Sequence, residues 1–219
     1  MNSTKTHIYF VPGLAASSKI FEYLSLSKEK FEFHFLEWLL PLSVSESIEN
    51  YAKRMADQVI HENSVLLGVS FGGIMVQEMS KHLNTNKIIL ISSVKCRDEL
   101  PKRLKVIQKT KAYKLFPSKS IKNIEDFSIY AFGNMAKKRV HIYKEYLSIR
   151  DEKYLNWAIY NVLHWQQKDP IPNILHLHGI DDSVFPIKHI KNCIPIKNGT
   201  HVMILNKAKS ISKIINDSF

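Results

Sequence analysis

Gly68-Val69-Ser70-Phe71-Gly72-Gly73 follows directly on the apolar run Val65-Leu66-Leu67. A G-x-S-x-G pentapeptide between a buried strand and a helix is the pattern of a nucleophile elbow, a strained turn that leaves a serine hydroxyl exposed. Small residues are needed on both sides of that serine. A Cβ at Gly68 or Gly72 would collide with the tight turn, and one at Gly73 would hold the following helix off the strand. The context agrees with the pattern: Ser64 to Val69 reads as a short buried strand. Phe71 to Leu83 then carries Ile74, Met75, Met79 and Leu83 near helical spacing, before a polar Asn84-Thr85-Asn86 turn. Without partners for Ser70, the stretch would be a glycine-bearing turn with an incidental serine.

Working outward, strand-like and helix-like segments alternate on both sides of a long interruption, which argues for an α/β fold with a mostly parallel sheet flanked by helices. His7 to Val11 reads as the first strand. Phe31 to Trp38 reads as the second, with Phe31, Phe33 and Phe35 alternating against Glu32, His34 and Glu37. Ser43 with Glu46 suggests a capping box for a helix carrying Ile48, Tyr51, Met55 and Val59. Lys87 to Ser92, Ile174 to Leu177 and Ile194 to Ile196 supply further strands, and a terminal helix begins near Lys207. The interruption, residues 95–169, is too apolar for a solvated linker, with Tyr154, Trp157 and Trp165 among its aromatics; it is expected to pack over the sheet as a helical cap. The 219 residues, 45% of them hydrophobic, suit a single domain spanning 1–219 with that cap inserted after the strand that follows the nucleophile helix.

A serine is a weak nucleophile unless a histidine accepts its proton, and the histidine needs a carboxylate to fix its tautomer. Both follow in the order serine, acid, histidine. Ile174 to Leu177 runs into His178-Gly179-Ile180-Asp181-Asp182-Ser183-Val184-Phe185-Pro186, and the last strand runs into Asn198-Gly199-Thr200-His201. Asp182 and His201 each lie just past a strand's carboxyl end, the edge where open parallel sheets place their sites. His178-Gly179-x-x-Asp182-x-x-x-Pro186 and Gly199-x-His201 resemble the acid and histidine loops of the α/β-hydrolase superfamily, and Phe10-Val11-Pro12-Gly13-Leu14 resembles its oxyanion loop. The resemblance spans residues 10–201 and implies a catalytic triad of Ser70, Asp182 and His201, with an oxyanion hole from the backbone amides of Leu14 and Phe71. Asp181 is the rival acid, and the family's spacing from His178-Gly179 favours Asp182. Ser17 and Ser18 would touch substrate or cap a helix beginning near Lys19. His178 is expected to be structural, and His7, His164 and His176 to have surface or core roles. Against the family pattern, the usual antiparallel strands before the oxyanion strand are absent, so a short sheet of about six strands is expected.

The implied chemistry is acyl transfer to water: a serine hydrolase, of carboxylesterase type, cleaving the ester or thioester of a small molecule with no metal or organic cofactor. Amide or C–C bond hydrolysis on the same triad, and a non-catalytic binding protein on the same scaffold, are the alternatives. Cys96 and Cys193 have neither metal-ligand spacing nor a disulfide framework. No apolar run approaches the roughly 20 residues that span a bilayer, and no signal-peptide core is present, so a cytoplasmic location is expected. The net charge of +11 is concentrated in residues 95–122, where ten Lys and Arg face only Asp98 and Glu99. No nucleic-acid motif accompanies them. Such a basic cap would be a solvated surface, or would steer an acidic carrier protein bearing the substrate.

Overall fold

A computed structural model of the chain describes residues 5–115 and 145–219. Six strands form one sheet: β1 (Thr6–Val11), β2 (Phe31–Phe35), β3 (Ser64–Val69), β4 (Thr85–Ile91), β5 (Ile174–Gly179) and β6 (Ile194–Ile196). Their order is β2-β1-β3-β4-β5-β6, and every pairing is parallel. All six residues of β3 are buried, which explains why that strand reads as a continuous apolar run rather than an alternating one. The described helices of four or more α-helical residues are α1 (Ile48–Ala56), α2 (Phe71–Met79), α3 (Lys102–Thr110), α4 (Glu152–His164), α5 (Met203–Asn206) and α6 (Ala208–Asp217). None is long and apolar enough to cross a membrane.

The strand order positions the site. The chain leaves β1 toward β2 on one side and then crosses back to β3 on the other. A crevice therefore opens at the carboxyl ends of β1 and β3, where the connections diverge. Gly13 and Leu14 follow β1, and Ser70 follows β3, so the two loops singled out by their sequence meet at this point.

Several local expectations shift. The second strand ends at Phe35 rather than Trp38, although the Leu36 amide still donates to the Phe10 carbonyl at 2.9 Å. The chain turns away there, and the buried Trp38 indole N–H reaches the Gly13 carbonyl at 3.0 Å. β4 starts at Thr85, inside the stretch read as a polar turn. The capping box is displaced as well: Ser47, not Ser43, caps α1, accepting the Asn50 amide at 3.2 Å. Glu46 is drawn off instead to the Leu42 amide at 2.7 Å and to Arg54 at 3.0 Å, which ties down the loop before the helix.

Of the expected cap, residues 95–115 and 145–169 are described; 116–144, with Gly133, Lys119 and Lys122, lie outside the described residues. Asp151 caps α4, and its inner face belongs to the main core. Trp157 stacks on Tyr51 with ring centroids 4.0 Å apart and donates its indole N–H to the Glu46 carbonyl at 2.8 Å. The basic block is less solvated than its composition suggests. Lys95 is buried and lies 3.8 Å from Glu99, Arg97 bonds Gln166 and Gln108, and Arg103 donates to the Ser183 and Val184 carbonyls at 2.8 and 2.9 Å. Lys102, Arg103, Lys109 and Lys111 are nevertheless exposed.

Candidate active site

The turn from β3 into α2 sets Ser70 at φ 55°, ψ −118°, a conformation that costs a non-glycine residue about 1–3 kcal/mol. It persists because its surroundings over-determine it. The Ser70 amide donates to the Ile91 carbonyl at 3.0 Å, and the Ser70 carbonyl accepts from the Gly73 amide at 2.9 Å and the Ser93 hydroxyl at 2.7 Å. A Cβ on Gly72 would stand 2.3 Å from both the Val11 and the Pro12 carbonyl oxygens, so only glycine lets β1 and the elbow lie this close.

Asp182 and His201 come to Ser70 on two loops that are also in backbone contact. A Cβ on Gly179 would sit 2.2 Å from the Gly199 carbonyl oxygen, and the Asp181 amide donates to that same oxygen at 2.9 Å. The loops therefore stack glycine to glycine, and their functional side chains converge. His201 Nε2 lies 2.9 Å from Ser70 Oγ, and His201 Nδ1 lies 2.9 Å from Asp182 Oδ2. An ionised carboxylate only accepts, so the network assigns the imidazole proton to Nδ1 and leaves Nε2 to accept from the serine hydroxyl. Asp182 Oδ1 meanwhile accepts the Val184 and Phe185 amides at 2.8 and 2.9 Å. Burial by itself would raise this carboxyl's pKa. Attraction to His201, the His201 hydrogen bond and the Phe185 amide outweigh burial and hold it below the usual carboxylate value. Asp181 is exposed whereas Asp182 is buried, which separates the two adjacent acids.

Behind the acid lie two buried histidines. His178 Nε2 donates to the Phe185 carbonyl at 2.7 Å, which leaves Nδ1 to accept from His176 Nε2 at 3.3 Å. Burial lowers the pKa of both; His176, pressed also by His178 and Lys95, is pushed down to about 3. Both are neutral supports for the loop that carries Asp182.

Facing Ser70 and His201 is a cavity of about 280 Å³ with a mostly apolar lining. Leu14 and Phe71 line it beside Ser70 and His201. Phe71 is the first residue of α2, so its amide is one of the helix's unpaired N-terminal donors. Among the described residues, neither the Leu14 nor the Phe71 amide hydrogen-bonds to the protein backbone. Arg103 and Tyr146 also reach the wall; the Tyr146 hydroxyl is engaged by Glu22 and Tyr23.

No family model and no curated relative matches the sequence. Solved structures do match, over nearly the whole chain. A thermophilic esterase from Thermogutta terrifontis aligns with a TM-score of 0.71 at 13% identity, covering 99% of this chain and 90% of its own. A bromoperoxidase from Bacillus anthracis aligns at 0.66 and 15%, covering 98% and 91%. The 2-hydroxy-6-oxo-6-phenylhexa-2,4-dienoate hydrolase of a Rhodococcus species aligns at 0.60 and 16%, covering 97% and 90%. The chain has the α/β-hydrolase fold. At these identities the likeness is one of architecture, and the α/β-hydrolase sheet here consists of the six parallel strands described above.

The fold brings the motif residues Ser70, Asp182 and His201 together, with Leu14 and Phe71 beside Ser70, and the residues that hold them lie outside the motifs. Ser93 braces the elbow through the Ser70 carbonyl, Trp38 anchors the Gly13 carbonyl, and Arg103 grips the acid loop. None of these stands in a motif. Ser17 gives no side-chain cap to the short 3-10 turn at Ser18–Phe21; its amide donates to the Tyr146 carbonyl at 3.1 Å instead.

Proposed function

We propose that the protein is a serine hydrolase that cleaves carboxylic esters or thioesters of apolar small molecules through an acyl-enzyme. The observation that carries this reading is the unbroken hydrogen-bonded line from Ser70 Oγ through the His201 ring to Asp182, with the serine held at φ 55°. His201 Nε2 takes the Ser70 proton as Oγ attacks the carbonyl carbon, and Asp182 stabilises the imidazolium. The Leu14 and Phe71 amides receive the developing oxyanion, the loss of either donor costing about 3 kcal/mol of barrier. As the intermediate collapses, His201 returns the proton to the leaving oxygen or sulfur. Water, deprotonated by the same nitrogen, then attacks the acyl-serine; the acid is released and Ser70 regains its proton. Every step uses groups of the chain and water.

The cavity narrows the substrate class. Ile20, Leu104, Ile107, Ile159, Val162 and Leu205 are among its walls, and the one charged guanidinium, Arg103, is occupied with the Ser183 and Val184 carbonyls. This favours uncharged aliphatic acyl or alkyl groups over acidic or strongly polar ones. A panel of p-nitrophenyl esters tests the reading. Hydrolysis should be faster for acyl groups longer than acetyl and be abolished in Ser70→Ala. Folded protein inert toward the whole panel, or hydrolysis that survives Ser70→Ala, would overturn it.

A further inference from the structure

Away from the crevice, three histidines from separate parts of the sequence gather on one face of the sheet. His7 is the second residue of β1, His34 the fourth of β2, and His61 lies in the loop between α1 and β3. Parallel pairing sets His7 beside Glu32 and Tyr9 beside His34, so these four side chains share a face. One nitrogen from each imidazole lies within 4.8 Å of the others, and His7 Nδ1 stands 3.0 Å from His34 Nε2. The His61 ring is parallel to the His7 ring, with centroids 3.5 Å apart. All three residues are half-buried, so their ring edges are reachable from solvent.

We propose that His7, His34 and His61 form a binding site for a late divalent transition-metal cation, Zn²⁺ being the simplest occupant. Two imidazole nitrogens bound to one Zn²⁺ at about 2.0–2.1 Å stand about 2.9–3.4 Å apart, depending on the angle between them. The His7 and His34 pair already has that separation. Bringing the third nitrogen in from 4.8 Å takes a little over 1 Å of approach, and the His61 ring, stacked parallel on His7, must also turn so that the two in-plane lone pairs meet at one ion. The donor set is all imidazole, which suits Zn²⁺, Ni²⁺ or Cu²⁺ and not Mg²⁺ or Ca²⁺. Glu32, with a carboxylate oxygen 4.0 Å from His7 Nδ1 and an exposed side chain, can supply a fourth ligand.

The surroundings also provide an orienting contact. The Tyr9 hydroxyl lies 2.7 Å from His61 Nδ1 and accepts the Ile60 amide at 3.2 Å. Holding the proton of His61 on Nδ1 leaves Nε2 free to ligate, the arrangement in which a second hydrogen bond orients a metal-bound histidine. About 20 Å of strand separates His7 from Gly13 at the catalytic edge, so an ion here would not take part in acyl transfer. It would tie β1, β2 and the segment leading into β3 together at the end of the sheet opposite the crevice.

Titration of the full chain with Co²⁺, followed by its visible d–d absorption, and with Zn²⁺ by calorimetry tests the proposal. One equivalent should bind. His7→Ala, His34→Ala and His61→Ala should each weaken binding at least about 100-fold, and Tyr9→Phe about 10–100-fold. His82→Ala, at an exposed site between α2 and β4, should leave it unchanged. Should an alanine variant fail to fold, long-range ¹H–¹⁵N spectra of the unaltered chain give the answer: three imidazoles should shift together at one equivalent of Zn²⁺. Binding indifferent to these substitutions, or spectra in which other histidines shift instead, would overturn the proposal.

Discussion

Asp182→Asn tests the division of labour within the proposed triad more sharply than removing the side chain would. The Val184 and Phe185 amides both donate to one oxygen of Asp182, at 2.8 and 2.9 Å. An asparagine must keep its carbonyl oxygen on those two donors, because turning the amide over would set an NH₂ against two N–H groups. Its NH₂ then faces His201 Nδ1, which lies 2.9 Å from the Asp182 oxygen it replaces. A donor there forces His201 to carry its proton on Nε2, and Nε2 can no longer accept from Ser70. Loss of the correct tautomer and of the charge that stabilises the imidazolium is worth about 10⁴-fold in kcat. KM should change little, since Asp182 is buried away from the apolar cavity walls. The assay is ester hydrolysis at neutral pH, with thermal melting to verify the fold and Asp181→Asn as the exposed neighbour that keeps full activity. Asp182→Asn activity within tenfold of the parent, or a comparable loss in Asp181→Asn, would refute the reasoning.

Three further outcomes follow from the same contacts. Gly72→Ala would drive a Cβ to 2.3 Å from two backbone oxygens that have no side-chain freedom to yield, so at least about 1–3 kcal/mol should be lost. For a chain of this size that is a melting temperature lower by at least roughly 2 °C, and an unchanged melt would show that β1 does not abut the elbow. Acid should destabilise the protein beginning well above the carboxylate range. His176 and His178 have folded pKa values below their ordinary 6.5, so the unfolded chain binds protons that the folded chain refuses as pH falls below 6.5. Stability should fall by about 1.4 kcal/mol per pH unit through His176, continuing to about pH 3, with His178 adding to the loss in the same direction and Asp182 adding its own only below 3.8. A denaturant midpoint flat from pH 7 to 5 would contradict the buried neutral pair. We also propose that the exposed cations beside the cavity steer an acidic carrier protein to it. Lys102→Glu with Lys109→Glu should slow hydrolysis of a carrier-bound thioester at low salt and spare small esters, and an equal effect on both substrates would dismiss the idea.

What the sequence revealed depended on whether a feature is local or is assembled from distant segments. The elbow, the acid loop and the histidine loop are short motifs with their own backbone requirements, and each was readable where it stands. Gly72 and Gly179 mark close approaches that the fold then displays. The strands were recognisable from their apolar runs, Val65 to Leu67 in β3 and Ile88 to Ile91 in β4, and only their ends moved. Ser43 misled as a cap because Glu46 has a better partner in Arg54, eight residues on. Trp38, Ser93 and Arg103 act through backbone carbonyls remote in sequence, so no spacing announces them. The histidine cluster is the clearest case: alternation sets His34 on the polar side of β2, but nothing local connects it with His7 or His61 until the strands pair. The basic block illustrates the limit of composition, since Lys95 is counted as surface charge and is buried, and the exposed Arg103 is tied to the acid loop.

The central claim is that Ser70 is an activated nucleophile, and labelling with a fluorophosphonate tests it most directly because the reagent reacts with an activated serine and not with an ordinary hydroxyl. One adduct per chain is expected, on Ser70, absent in Ser70→Ala and strongly slowed in His201→Ala. Folded protein that takes up no label, or label found on another residue, would contradict it.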